Sequence, residues 1–286
     1  MTETRPANFR TSVMNIDRPG DPTIFGDDVR AAAAEIIARY PAGQARSALL
    51  PMLHLMQSEQ GYITPDGIAF CAEMFDLTKA QVAAVVTFYT MFKRSPTGEF
   101  LVSVCRNPLC GLLGGDDIYA ALSEALGIGM NETTADGTIT LEHAECLAAC
   151  DYAPVVTVNY EFFDNQTVGS AMALVASLRA GERPTPTRGA PLCSFREIER
   201  LIAGFPDPRA DALEWEATGA PTEAGVRLAL ERDESAPSYA NRAENTLAPP
   251  PGTEALGQPT SAHDAPLTTS ASDSENPAPP PGQKEG

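Results

Sequence analysis

Two close cysteine pairs, Cys105-Arg-Asn-Pro-Leu-Cys110 and Cys146-Leu-Ala-Ala-Cys150, constrain this chain more than any other feature of its sequence. Thiolates four or five positions apart can grip one metal ion from a single loop, and a second pair can grip a neighbouring ion. That is the ligand set of a two-iron, two-sulfide cluster. Structural zinc sites also use two cysteine pairs, more often with two intervening residues, and disulfides are a third reading. A thioredoxin-type redox pair needs Cys-x-x-Cys, which is absent. A Rieske centre needs two ligating histidines in paired loops, which His54, His143 and His263 do not supply. An anionic cluster also needs hydrogen-bond donors around its sulfurs. Gly111 lets the first loop fold closely, Pro108 stiffens it, and the small Ala148 and Ala149 leave the amides of the second loop accessible.

Over 286 residues the formal net charge is −18. This excludes a nucleic-acid binder, which needs a basic surface to displace phosphate counterions. Residues 1–21 hold no apolar run of the kind a secretory signal carries. A cytoplasmic protein is therefore expected, in a compartment that keeps thiols reduced. No stretch reaches the roughly 18–20 uninterrupted apolar residues of a membrane-spanning helix, so any work at a membrane is expected through partners and not by direct insertion.

The chain reads as α+β. Val29, Ala32, Ala33, Ile36, Ile37 and Tyr40 recur at helical spacing. The apolar run 49–56 ends at Gly61 and carries Pro51 in its first turn or at a kink. Thr64-Pro65 reads as an N-cap followed by a first-turn proline, and Thr78-x-x-Gln81 as a capping box. Residues 25–95 are thus expected to form a helical bundle behind an N-terminal arm, 1–24. After the Pro96-Thr97-Gly98 turn, the β-prone run 100–104 delivers the chain to Cys105. A helix over 117–126, strands over 138–141 and 155–160, and a helix over 168–179 make 96–184 a small α/β domain around one core. Residues 185–233 read as a connector with a short helix at 195–203, whose Phe195, Ile198, Leu201 and Ile202 form a sticky face. That face docks either on the chain's own core or on a partner, and a chain ending at Arg188 is expected to keep the metal site. Residues 234–286 contain no Ile, Val, Phe, Trp, Met or Cys and are rich in proline, which predicts a disordered acidic tail.

Cys71 falls in a helical pattern with Ile68, Met74 and Phe75 and reads as a buried inert thiol. Cys193 stands isolated in the connector. His143, three residues before Cys146, is placed to make the site pH-sensitive, but reads first as a solvated histidine. His54 and the aromatic run 86–92 read as helix packing. The stretch Gly111-Leu-Leu-Gly114-Gly115 lacks the Gly-x-Gly-x-x-Gly spacing and setting of a dinucleotide fingerprint. It reads as a turn beside the metal site, and the chain has no visible flavin or nicotinamide site.

Taken together, these motifs resemble the E-subunit family of respiratory NADH:quinone oxidoreductase (complex I), the bacterial counterpart of the mitochondrial flavoprotein 2 subunit. The helical half carries Leu49-Leu50-Pro51-Met52-Leu53-His54-Leu55, Gly61-Tyr62-Ile63 and Val86-Thr87-Phe88-Tyr89-Thr90-Met91-Phe92. The cysteine half carries Glu145-Cys146-Leu147-Ala148-Ala149-Cys150 and Ala153-Pro154-Val155-Val156. The likeness spans roughly residues 28–180. It implies a helical segment followed by a thioredoxin-like [2Fe–2S] ferredoxin domain, with Cys105 and Cys110 on one iron and Cys146 and Cys150 on the other. It also implies that NADH and FMN sit on a neighbouring flavin- and NADH-binding protein, the F subunit. Through that neighbour the chain joins the other peripheral-arm subunits at the cytoplasmic face of the inner membrane, and it holds no complete active site of its own. Hydride brings two electrons whereas such a cluster takes one at a time, so a flavin must stand between them. The family often has glycine where this chain has Ala148. Soluble NAD-linked formate dehydrogenases and hydrogenases reuse the same module. A zinc-bound structural adaptor is the alternative from a different class, and metal and acid-labile sulfide analysis separates it from the cluster readings.

Overall fold

The structure, a computed structural model, describes residues 19–209, 212, 214–215 and 218–235. The described elements, from residue 22 to residue 231, belong to one compact unit. Most of the expected arm, and the expected disordered tail beyond residue 235, lie outside the described residues.

Helix α1 (Asp27–Ala38) opens with Asp27 and Asp28 at the positive end of its dipole and buries Val29, Ala32, Ala33 and Ile36. Helix α2 (Leu49–Gln60) carries Pro51 in its first turn and stops at Gly61, whose φ of 77° is the left-handed cap position. Thr64 caps α3 (Pro65–Phe75) by accepting from the Gly67 N–H. Thr78 and Gln81 close a reciprocal capping box on α4 (Lys79–Phe88). These helices share one core that includes Ile36, Met52, Leu53, Phe70 and Val82.

Strands β1 (Phe100–Cys105), β2 (Glu132–Thr133), β3 (Ile139–Ala144), β4 (Val156–Val158) and β5 (Glu161–Phe163) form one sheet in the order β2-β3-β1-β4-β5. The β1–β3 pair is parallel and the other pairings are antiparallel. The crossover from β1 to β3 carries α5 (Pro108–Leu112) and α6 (Gly115–Leu126), and α7 (Val168–Arg179) follows β5. Alternation along β1 separates its two faces. Phe100, Val102 and Val104 pack with Ile118, Leu122 and Leu174, whereas Leu101 meets Phe195 and Ile198 and Ser103 donates to Glu142. Strands β2 and β5 and helix α5 were not legible in the sequence, because elements of two to five residues are too short for periodicity to mark.

Residues 190–205 depart furthest from the connector reading. Ser194 and Glu197 form a capping box on α8 (Phe195–Ile202). Leu192 joins the sheet core, Phe195 and Ile198 pack on Leu101, and Ala203 and Phe205 complete the helical core. Glu199, fully buried, accepts from the Tyr160 hydroxyl at 2.9 Å and lies 2.6 Å from His54 Nδ1 on α2. Arg196 Nε donates to the Ser58 carbonyl, near the end of α2, at 2.6 Å. The sticky helix therefore docks on the chain's own core. A further helix, α9 (Ala220–Glu231), was not foreseen; it buries none of its residues, and it meets the turn at Cys150–Tyr152. Among the described residues no helix is long and apolar enough to cross a membrane.

Candidate metal centre

Strand β1 ends on Cys105 and α5 carries Cys110, and these two residues are 2% and 3% exposed. Pro108 sits in the first turn of α5, where its missing N–H costs nothing. Two glycines let this short helix close onto the strand end. A Cβ on Gly111 would lie 2.8 Å from the Arg106 carbonyl oxygen, and one on Gly115 would lie 2.5 and 2.9 Å from those of Cys105 and Cys110. The second pair follows β3. Cys146 lies in the loop, Cys150 opens the 3-10 turn Cys150–Tyr152, and both are exposed. Ala149 and Val155 join Cys105 and Cys110 in a buried floor, with Leu147, Tyr152, Ala153 and Phe162 packed around it.

The thiols face one another in pairs. Burial pushes the Cys110 thiol up to about 11, helped by a hydrogen bond with Cys105 and by the charges of Cys105 and Cys150, while a hydrogen bond with the Val155 backbone works the other way. The Cys150 thiol is raised first by its hydrogen bond with Cys146 and then by the Cys146 charge. Four thiolates this close repel unless cations separate them. Among the described residues no three His, Cys, Asp or Glu side chains are grouped to hold a single metal ion. The Ala148 N–H donates to Cys146 Sγ at 3.4 Å, one of the donors an anionic cluster requires.

Ala148 reaches this position at φ 55°, in the left-handed region that penalises a Cβ. Ala148→Gly is expected to raise stability by about 0.5–1 kcal/mol. The check is a higher urea midpoint at unchanged iron content, and a lower midpoint would refute the strain.

The other singled-out residues lie away from the pairs or beside them. Cys71 is fully buried on α3, and burial drives its thiol far above the ordinary range. Cys193 is buried with Leu101 and Phe195, and burial pushes its thiol up to about 11. Neither belongs to the apolar floor around Cys105 and Cys110. His54 is buried and lies against Phe92, with ring centroids 4.8 Å apart and the rings tilted by 49°. His143 is half-buried, not fully solvated, because its ring meets Tyr119 at 5.7 Å. With Tyr89, Met91, Lys93 and Cys146 it lines a cleft of about 400 Å³ between β3 and the segment after α4. In that cleft Lys93 Nζ donates to Glu142 at 2.5 Å. The aromatic run 86–92 is only partly packing: Val86 and Phe92 are buried, but Phe88 and Tyr89 are 77% and 44% exposed. Tyr152 and Phe162, which pack beside the cysteine floor, carry no local sequence signal.

A family model described as thioredoxin-like [2Fe-2S] ferredoxin matches residues 33–179. Proteins named as the E subunit of NADH-quinone oxidoreductase, from Mycobacterium bovis and Mycobacterium tuberculosis, are 55% identical over 222 residues, covering 76% of this chain and 87% of theirs. The Thermus thermophilus protein named NADH-quinone oxidoreductase subunit 2 is 38% identical over 160 residues, covering 56% of this chain and 88% of its own. Among solved structures, an NAD+-reducing [NiFe]-hydrogenase in the air-oxidised state aligns with a TM-score of 0.41 at 19% identity, over 46% of this chain and 23% of that one.

Proposed function

Because this chain belongs to the thioredoxin-like [2Fe-2S] ferredoxin family, we propose that Cys105, Cys110, Cys146 and Cys150 are the ligands of one [2Fe–2S] cluster, two to each iron. The chain is the E-type electron-transfer subunit of an NADH–quinone oxidoreductase. When bound, the cluster supplies a one-electron site for exchange with FMN held on another subunit. The residues of this chain hold and bias that site. Cys105 and Cys110, closed in by Ala149 and Val155, keep water from the inner side. The Ala148 amide offers a donor to the outer sulfur. Exposure of Cys146 and Cys150 leaves the outer side open to a redox partner.

The observation that carries this reading is the convergence of a buried and an exposed thiol pair from two loops of a thioredoxin-like sheet. The partner we assign is the flavin- and NADH-binding F subunit, within a complex at the cytoplasmic face of the inner membrane. Exposed Leu112 and Leu113 just beyond Cys110, and Tyr89 across the cleft from Cys146, support a face that a partner covers.

The purified full chain is expected to hold about two irons and two sulfides, and to give a rhombic EPR signal on reduction. It should oxidise NADH only when the flavin-bearing partner is added. Stoichiometric zinc without that signal, or NADH turnover by the flavin-free chain, would sink the reading.

A further inference from the structure

The outer cysteines stand on a turn that no strand holds, yet a cluster ligand must stay fixed if its metal is not to exchange with solvent. Two segments beyond the matched family core, which ends at residue 179, contact that turn. From one side, the Arg188 guanidinium is stacked between the Tyr152 ring at 4.7 Å and the Phe162 ring at 4.4 Å. Its Nε and Nη2 donate to the two carboxylate oxygens of Asp164 at 2.8 and 3.1 Å, and the two side chains are only 15% and 5% exposed. The Thr187 hydroxyl donates to the same carboxylate at 2.9 Å, and Arg188 bridges Phe162 through the backbone. Elsewhere on the turn, the Thr222 hydroxyl donates to Asp151 at 2.5 Å. Gly219 lies so close to Tyr152 that a Cβ there would overlap the tyrosine hydroxyl.

Resting on the cluster assignment above, we propose that the segment after the ferredoxin core is a clamp on the outer ligand turn, with Arg188 as the positioning residue for Cys150. The chemistry favours arginine for this task. A planar fork holds both carboxylate oxygens while its face stacks on two rings, which an ammonium cannot do. Tyr152 carries the effect, because it stacks on the guanidinium, sits two residues from Cys150, and packs on the floor formed by Cys105, Cys110 and Ala149. Asp164 neutralises the guanidinium, so the clamp acts through geometry and not through net charge.

The test uses the full chain with its cluster assembled, and reads iron release to a ferrous chelator together with the EPR line shape of the reduced protein. Arg188→Lys keeps the charge and loses the fork and the stacking. It is expected to release iron about tenfold faster and to broaden the signal, in line with the loss of the bidentate fork and of planar stacking on two rings. Tyr152→Leu should reproduce that behaviour with the Arg188–Asp164 pair left in place, whereas Tyr152→Phe, which keeps the ring, should match the parent chain. Should Arg188→Lys fail to fold, the two Tyr152 variants decide the matter alone. Release within about twofold of the parent in both Arg188→Lys and Tyr152→Leu, with an unchanged line shape, overturns the clamp. A parent chain that assembles no iron–sulfur cluster at all overturns the ligand assignment instead.

Discussion

Serine in place of Cys105, Cys110, Cys146 or Cys150, one at a time, is expected to take the chain from about two irons to almost none, with loss or distortion of the EPR signal on reduction. A serine hydroxyl does not ionise at neutral pH as a metal-activated thiol does, so each change removes one of the four anionic ligands. The two pairs should differ in what else they do. Cys146 and Cys150 are exposed, so their serine variants should fold like the parent in the metal-free state. Cys105 and Cys110 lie in the buried floor, where a hydroxyl without a guaranteed partner costs about 1–3 kcal/mol. Their metal-free variants should therefore unfold at lower urea. Cys71→Ala and Cys193→Ala are the controls, since both thiols lie outside that floor. Full iron content in any of the four serine variants, or full loss in either control, would show the ligand set to be wrong.

Ending the chain at Arg188 is expected to abolish folding, which reverses the expectation drawn from composition that such a chain keeps its metal site. The cut removes Leu192, Phe195, Ile198, Ala203 and Phe205, all buried and distributed among three apolar clusters. Deleting one large core side chain costs about 2–5 kcal/mol, so losing several exceeds the roughly 5–15 kcal/mol that holds a domain folded. It also leaves His54 and Tyr160 facing the space that the Glu199 carboxylate fills. Ending the chain at Asp233 removes none of the described buried residues and should leave both melting temperature and cluster content unchanged. Circular dichroism and iron analysis on the two truncations give the comparison. A folded, cluster-bearing chain ending at Arg188 would mean that α8 is an appendage after all.

The part of this protein that was legible in its sequence is the part encoded within a turn or two of chain. Thr64 and Thr78 announced their helices because a cap acts on backbone N–H groups three residues away. Gly61 marked a helix end because the left-handed cap tolerates no Cβ cheaply. The two thiol pairs stood out because a metal ion gripped from one loop would restrict ligand spacing, and their neighbourhood motifs pointed to the family. Folding chose the residues that support that site. Arg188 meets Asp164 across 24 residues, Thr222 meets Asp151 across 71, and His54 meets Glu199 across 145. No local period relates such pairs, since they become neighbours once the sheet and helices have packed. For the same reason Phe88 and Phe92 looked alike as members of one aromatic run, yet one is exposed and the other buried. Local chemistry along the chain was enough to mark the four thiols and most of the elements that present them. Which thiol pair is buried, and what meets the turn that bears Cys150, depended on contacts between distant segments that meet in the folded chain and nowhere else.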